Sequence, residues 1–223
     1  MEEKEAEQAE FEEGSWKKPL KAILALALVI ILIITLVPYY SIKVNPEPEK
    51  IPALYEVIPL NLEVQGTKFQ INNTYDMRLL VDPDDGRIKY TANRIVTRAC
   101  ENSDGNRLCY AKAIYYFMRD KFNYVADPLG VEFVEPPIEA LASGGGDCES
   151  GSIVMASLME AVGIDAQLVF VHGHAYVRIW VEEAPKRYKN DNWIYLDWTC
   201  DECGFGEIPW ENWVKEQWAV EVP

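Results

Sequence analysis

Hydrophobic and polar positions change their pattern several times along the chain, and each change predicts a different element. Ala22 to Val37 carries no charged residue. With Leu20 before it and Pro38-Tyr39-Tyr40 after it, this run approaches the roughly 20 residues that cross a bilayer. Residues 1–15, MEEKEAEQAEFEEGS, are mostly charge without apolar periodicity and read as a disordered acidic tail. KVNPEPEKIP (43–52), with three prolines and alternating charge, reads as a semi-rigid stalk. The expected organisation is a tail over 1–19, a transmembrane segment over 20–40, a stalk over 41–52 and a folded domain over 53–223.

Within the domain, FQINNTYDMRLLV alternates as an extended lead-in, and DPDDG (82–86) is a turn before a helix from Arg87 to Ala99. LCYAKAIYYFMRDKFNY has helical spacing, and EPPIEAL starts a short helix with proline in its first turn. From Ser150 to Val162 the only charge is Glu160, so this helix is apolar on nearly all sides and belongs in a core. Gly163 is its expected stop. AQLVFV, AYVRIWV and WIYLDW then read as three strands, rich in β-branched and aromatic residues. The predicted fold class is α+β, with a buried helix packed on an antiparallel sheet.

The apolar run at residues 20–40 is expected to be an uncleaved signal anchor. TLVPYYSIKV has no small-residue cleavage site, and Tyr39-Tyr40 suits a membrane interface. Lys17, Lys18 and Lys21 place its N-terminal side in the cytoplasm and the domain outside. The formal net charge is −15; seven acidic and four basic residues in 1–21 account for −3, leaving about −12 on the remainder. Such a surface has no basic patch and excludes nucleic acid as a partner. The Asn72-Asn73-Thr74 sequon is a weak signal for glycosylation.

The chemistry concentrates at GGGDCESGSIVMASLMEAVG (144–163). Asp147 is a helix N-cap, which sets Cys148 at the first helical position among unpaired N–H groups. There the macrodipole favours thiolate, the nucleophilic form. The glycines are expected to let a substrate backbone approach. The chain has two histidines, His172 and His174. If AYVRIWV and WIYLDW pair as neighbours, facing residues have numbers summing to about 372, which sets Asp197 within a residue or so of His174. Cysteine, histidine and aspartate in that relation are a nucleophile, a base and an orienting acid.

SGGGDCESGSIVMASLMEAVGIDAQLVFV, HAYVRIWV and WIYLDWT together resemble the transglutaminase-like superfamily of papain-type cysteine enzymes. YYFMRDKFNYV also looks like the helix-to-strand segment preceding the cysteine in that family. The resemblance covers about residues 107–200 and implies Cys148 as nucleophile, His174 as base and then acid, and Asp197 as orienting carboxylate. It implies a protein or peptide substrate, a thioester intermediate and no cofactor, with the Cys148 N–H in the oxyanion hole. Water as acceptor would make the enzyme a peptidase or amidase, and an amine would make it a transglutaminase. Trp198 stands where the family often has proline, and Tyr176 where it often has tryptophan.

Cys100, Cys109, Cys200 and Cys203 remain. They are expected to form two disulfides if the domain faces outward, with three connectivities open. A zinc site using Cys200-x-x-Cys203 is the rival, and a redox role for CDEC the weakest option. The rival to an enzyme is a binding or scaffold module whose triad is inert. The segment GFGEIPWENWVKEQWAVEVP either caps the core or lines a substrate groove.

Overall fold

A computed structural model of the chain describes residues 19–37, 45–59, 66, 69–70, 73–128 and 133–223. The acidic tail before Pro19, Tyr39-Tyr40 and Asn72 of the sequon lie outside the described residues. The chain divides into two units, Met1–Lys43 and Val44–Pro223. In the first, the helix α1 (Pro19–Val37) has a mean hydropathy of 3.0 over its most apolar window. At 1.5 Å per residue it reaches roughly 28 Å, close to the thickness of a bilayer core. By length and composition it fits a membrane anchor or a signal sequence.

The second unit begins with residues of the expected stalk, and these are held against the domain. Lys112, fully buried, donates from Nζ to Asn45 Oδ1 at 2.9 Å, to the Pro46 carbonyl at 3.1 Å and to Glu47. The Glu49 N–H donates to the Ala99 carbonyl at 2.8 Å. A buried ammonium needs such partners, so this segment belongs to the fold.

A short helix, α2 (Leu54–Val57), and a two-residue strand, β1 (Phe69–Gln70), precede the main helices. Helix α3 (Gly86–Ala99) starts where Asp85 accepts from the Arg87 N–H at 2.7 Å. Ile88, Ala92, Ile95, Val96 and Ala99 form its buried stripe. Helix α4 (Arg107–Lys121) is capped by Asn106 and ends at β2 (Asn123–Tyr124). Strand β3 (Phe133–Val134) pairs with β1; then come α5 (Pro137–Ser143), β4 (Gly145–Gly146) and α6 (Cys148–Ala161). Helix α6 buries Ile153, Val154, Met155, Leu158 and Met159, each worth roughly 1.5–3 kcal/mol in transfer free energy. It stops at Gly163 (φ 75), where the Ile164 N–H reaches back to the Met159 carbonyl at 3.0 Å.

The sheet comprises β5 (Asp165–Val171), β6 (His174–Trp180), β7 (Ile194–Leu196) and β8 (Trp218–Glu221) in the antiparallel order β7-β6-β5-β8. The three expected strands are present, and the C-terminal segment supplies the fourth. Ala166, Leu168, Phe170, Ala175, Val177 and Ile179 join the main core with α6. Val169, Val171 and Tyr176 form a second cluster, covered by Tyr195 and Ile208. Ile208, which lies between β7 and α7 (Trp210–Trp213), therefore supplies part of that cover.

The four remaining cysteines are disulfide-bonded, Cys100 to Cys109 and Cys200 to Cys203, with Cα separations of 6.1 and 5.3 Å. That leaves no thiols at these positions for the zinc alternative. Cys148 is free and buried.

Candidate active site

The site is assembled at the start of α6 and at one end of the sheet. Gly144 ends α5 in the left-handed region (φ 76), and Gly145-Gly146 then pairs in parallel with Asn123-Tyr124. A Cβ on Gly145 would lie 2.7 Å from the Asn123 carbonyl oxygen, and one on Gly146 would lie 2.9 Å from Ser150 Cβ. All three glycines are buried. They serve close approach within the protein, whereas the sequence pattern points to close approach of a substrate.

Asp147 caps α6, its Oδ1 accepting from the Ser150 N–H at 2.8 Å. Burial, with smaller contributions from the charges of Glu149 and Asp127, pushes its carboxyl up to about 6. Cys148 follows with 7% exposure, and its Sγ donates to Glu149 Oε2 at 2.7 Å. Burial, then the Glu149 charge and hydrogen bond, push the thiol up from its ordinary value. The Ala175 N–H, directed at the sulfur, acts in the opposite sense. A helix terminus by itself favours thiolate; desolvation and Glu149 outweigh it in this resting arrangement.

His174 opens β6 directly after the two-residue turn His172-Gly173, where Val171 faces His174 across the hairpin. Because the Ala175 N–H is directed at the Cys148 sulfur, the adjacent His174 comes close to the start of α6. Its Nε2 lies 2.8 Å from Asp197 Oδ2. With Nε2–H held by a carboxylate, Nδ1 is the nitrogen free to accept a proton. His172 is exposed in the turn.

Asp197 follows β7 and is fully buried. Its Oδ1 accepts from the Thr199 N–H at 3.1 Å and hydroxyl at 2.8 Å, while Oδ2 also accepts from Asn212 Nδ2 at 3.3 Å. A buried carboxylate so satisfied is held in one orientation. Thr199 lies within the WIYLDWT motif, but Asn212 carries no sequence signal: α7 is a single turn in a segment without periodicity. Trp198 packs across α6 at Gly151 and edge-on to Phe122, with ring centroids 5.3 Å apart.

Residues 91–198 match the transglutaminase-like superfamily. The matched region includes Cys148, His174 and Asp197. The stretch from 91 to 198 is transglutaminase-like.

Among solved structures, Legionella pneumophila LapG is similar at 16% identity, covering 70% of this chain and 87% of its own, with a TM-score of 0.44. A calcium-bound form of LapG matches at 19% identity, over 58% of this chain and 75% of its own, with a TM-score of 0.39. A putative protease from Parabacteroides distasonis matches at 16% identity over 55% of this chain and 25% of its own, with a TM-score of 0.41. No curated protein matches the chain by sequence.

Beside the N-terminus of α6 a cleft of about 320 Å³ is lined by Val125, Asp127, Pro128, Glu135, Gly146 and Asp147, among others. Asp127, Glu135 and Asp147 give this cleft an acidic wall. On the C-terminal segment, Trp218 stacks on Phe170 and Trp213 meets Tyr195 edge-on, while Trp210 is 75% exposed.

Proposed function

We propose that the domain is a thiol enzyme that acts on amide bonds of proteins or peptides through an acyl-enzyme thioester. The 2.8 Å contact between His174 and Asp197, beside a free cysteine at a helix N-terminus, carries this reading. His174 Nδ1 takes the Cys148 proton as Sγ attacks the substrate carbonyl, and the Cys148 N–H receives charge developing on oxygen. The tetrahedral intermediate collapses, the C–N bond breaks, and His174 returns the proton to the leaving amine. His174 then deprotonates water or a second amine, which attacks the thioester and releases the thiolate. The apolar helix α1 acts as an anchor, with Lys17, Lys18 and Lys21 on the cytoplasmic side and the domain outside. Two disulfides fit that oxidising compartment.

One observation favours a second reading. The buried thiol bonded to Glu149 is biased toward its protonated form, as in a domain that binds without catalysing. Incubating the detergent-solubilised full chain with peptide pools, followed by acid quench and intact mass, separates the two. An acyl adduct on Cys148, absent from Cys148→Ser and accompanied by peptide cleavage, is the expected result. Peptide retention without adduct or cleavage would establish the binding module. An added primary amine appearing in the product would assign transamidation.

A further inference from the structure

The C-terminal segment contributes to the candidate site through Asn212. Asp197 is fully buried, and its four polar contacts come from three residues. Thr199 supplies both donors to Oδ1, so His174 and Asn212 share Oδ2. Asn212 is itself buried, at 6% exposure. A carboxamide can turn either end toward a neighbour, and the far end of this one is fixed: Lys215 Nζ donates to Asn212 Oδ1 at 3.0 Å. The end facing Asp197 is then the N–H donor. Lys215 also reaches the His172 carbonyl at 3.4 Å, two residues before His174. A line of hydrogen bonds thus runs from the turn that delivers His174, through Lys215 and Asn212, to the carboxylate that orients His174.

We infer that Asn212, oriented by Lys215, is a positioning residue that holds Asp197 turned toward His174. The inference rests on the assignment of Cys148, His174 and Asp197 as a working triad. Without the Asn212 donor, one lone pair of Oδ2 is desolvated and unpaired, and the carboxylate can relieve that cost by rotating. That rotation weakens its hold on the imidazole. Thr199 cannot substitute, because both of its donors already serve the other oxygen.

The test is the alkylation rate of Cys148 in the folded full chain with disulfides intact, where Cys148 is the free thiol. Asn212→Leu is compared with the native residue in two backgrounds, native His174 and His174→Ala. A loss of roughly 10-fold with His174 present, and none in His174→Ala, is the expected result, because the residue acts only through the imidazole. An equal loss in both backgrounds overturns the inference by showing a general structural effect, and no loss in either overturns it as well. If His174→Ala alone changes nothing, the triad assignment fails first and the role of Asn212 fails with it. Lys215→Met, more conservative toward the core, is carried through the same cycle and keeps the test decisive if Asn212→Leu does not fold; its expected loss is smaller and equally dependent on His174.

Discussion

Trp198 and Gly151 occupy one another's space: a Cβ at residue 151 would stand 2.2 Å from the indole ring. The two residues join the halves of the site, since Gly151 lies one turn beyond Cys148 on α6 and Trp198 follows Asp197. Gly151→Ala should force the indole away and carry Asp197 with it. The expected cost is about 1–3 kcal/mol or more from overpacking, read as a lower melting temperature, with slower Cys148 alkylation. Gly151→Ala combined with Trp198→Leu should recover part of the stability. Independent, additive losses would show that the contact does not couple the helix to the strand end.

Asp147 is a buried carboxyl whose pKa is pushed up to about 6, chiefly by burial. Its ordinary value is about 4, so the folded state holds the proton more tightly than the unfolded state. The sign follows: ionised Asp147 opposes folding above pH 6, and this penalty fades as pH falls from 6 toward 4. Asp147→Asn keeps an acceptor for the Ser150 N–H while removing the charge. It should raise stability by on the order of 1–2 kcal/mol at pH 8 and by much less at pH 4. Denaturant melts at the two pH values check this, and an equal effect at both would exclude the charge as its origin.

Glu149 holds the Cys148 S–H at 2.7 Å, and its negative charge disfavours thiolate. Glu149→Gln removes the second cause of the raised thiol pKa after burial. Alkylation at pH 7 should quicken several-fold, with the pH–rate profile displaced toward lower pH. An unchanged profile would leave burial, with the Asp147 charge, as the cause.

The register of the β6–β7 pair is legible in the sequence. Val177 faces Leu196, within one residue of the pairing expected from the centre of the connecting segment. Hydrophobic pattern and connection length set that register, which brings Asp197 near His174. Helix α6 is legible because a nearly uncharged run must be buried. Contacts made by isolated polar residues are not. A single lysine among LCYAKAIYYFM gives no sign that its ammonium fastens residues 45–47, and one asparagine in a one-turn helix gives no sign that it reaches Asp197. The GGG run reads as room for substrate, yet β2 and Ser150 fill that space. Strand β8 gives no strand signal because four residues, half of them exposed aromatic or acidic, are too short to show alternation.

The fastening by Lys112 makes its own prediction. Lys112 is fully buried, so its donors to Asn45 and the Pro46 carbonyl are not exchanged for water. Lys112→Met fills much of the same volume but leaves the buried Pro46 without that donor. The loss should be roughly 1–3 kcal/mol, because an unsatisfied buried acceptor costs about that much. Residues 45–50 should come free of α4 and become cleavable after Lys50, which limited proteolysis followed by mass spectrometry would detect. Glu47→Gln should have little effect by comparison, since the Glu47 side chain is 57% exposed and water can replace its partner. If Lys112→Met instead left cleavage unchanged, the segment would be held by the Glu49–Ala99 backbone bond and by packing of Ile51 and Leu54 on the core.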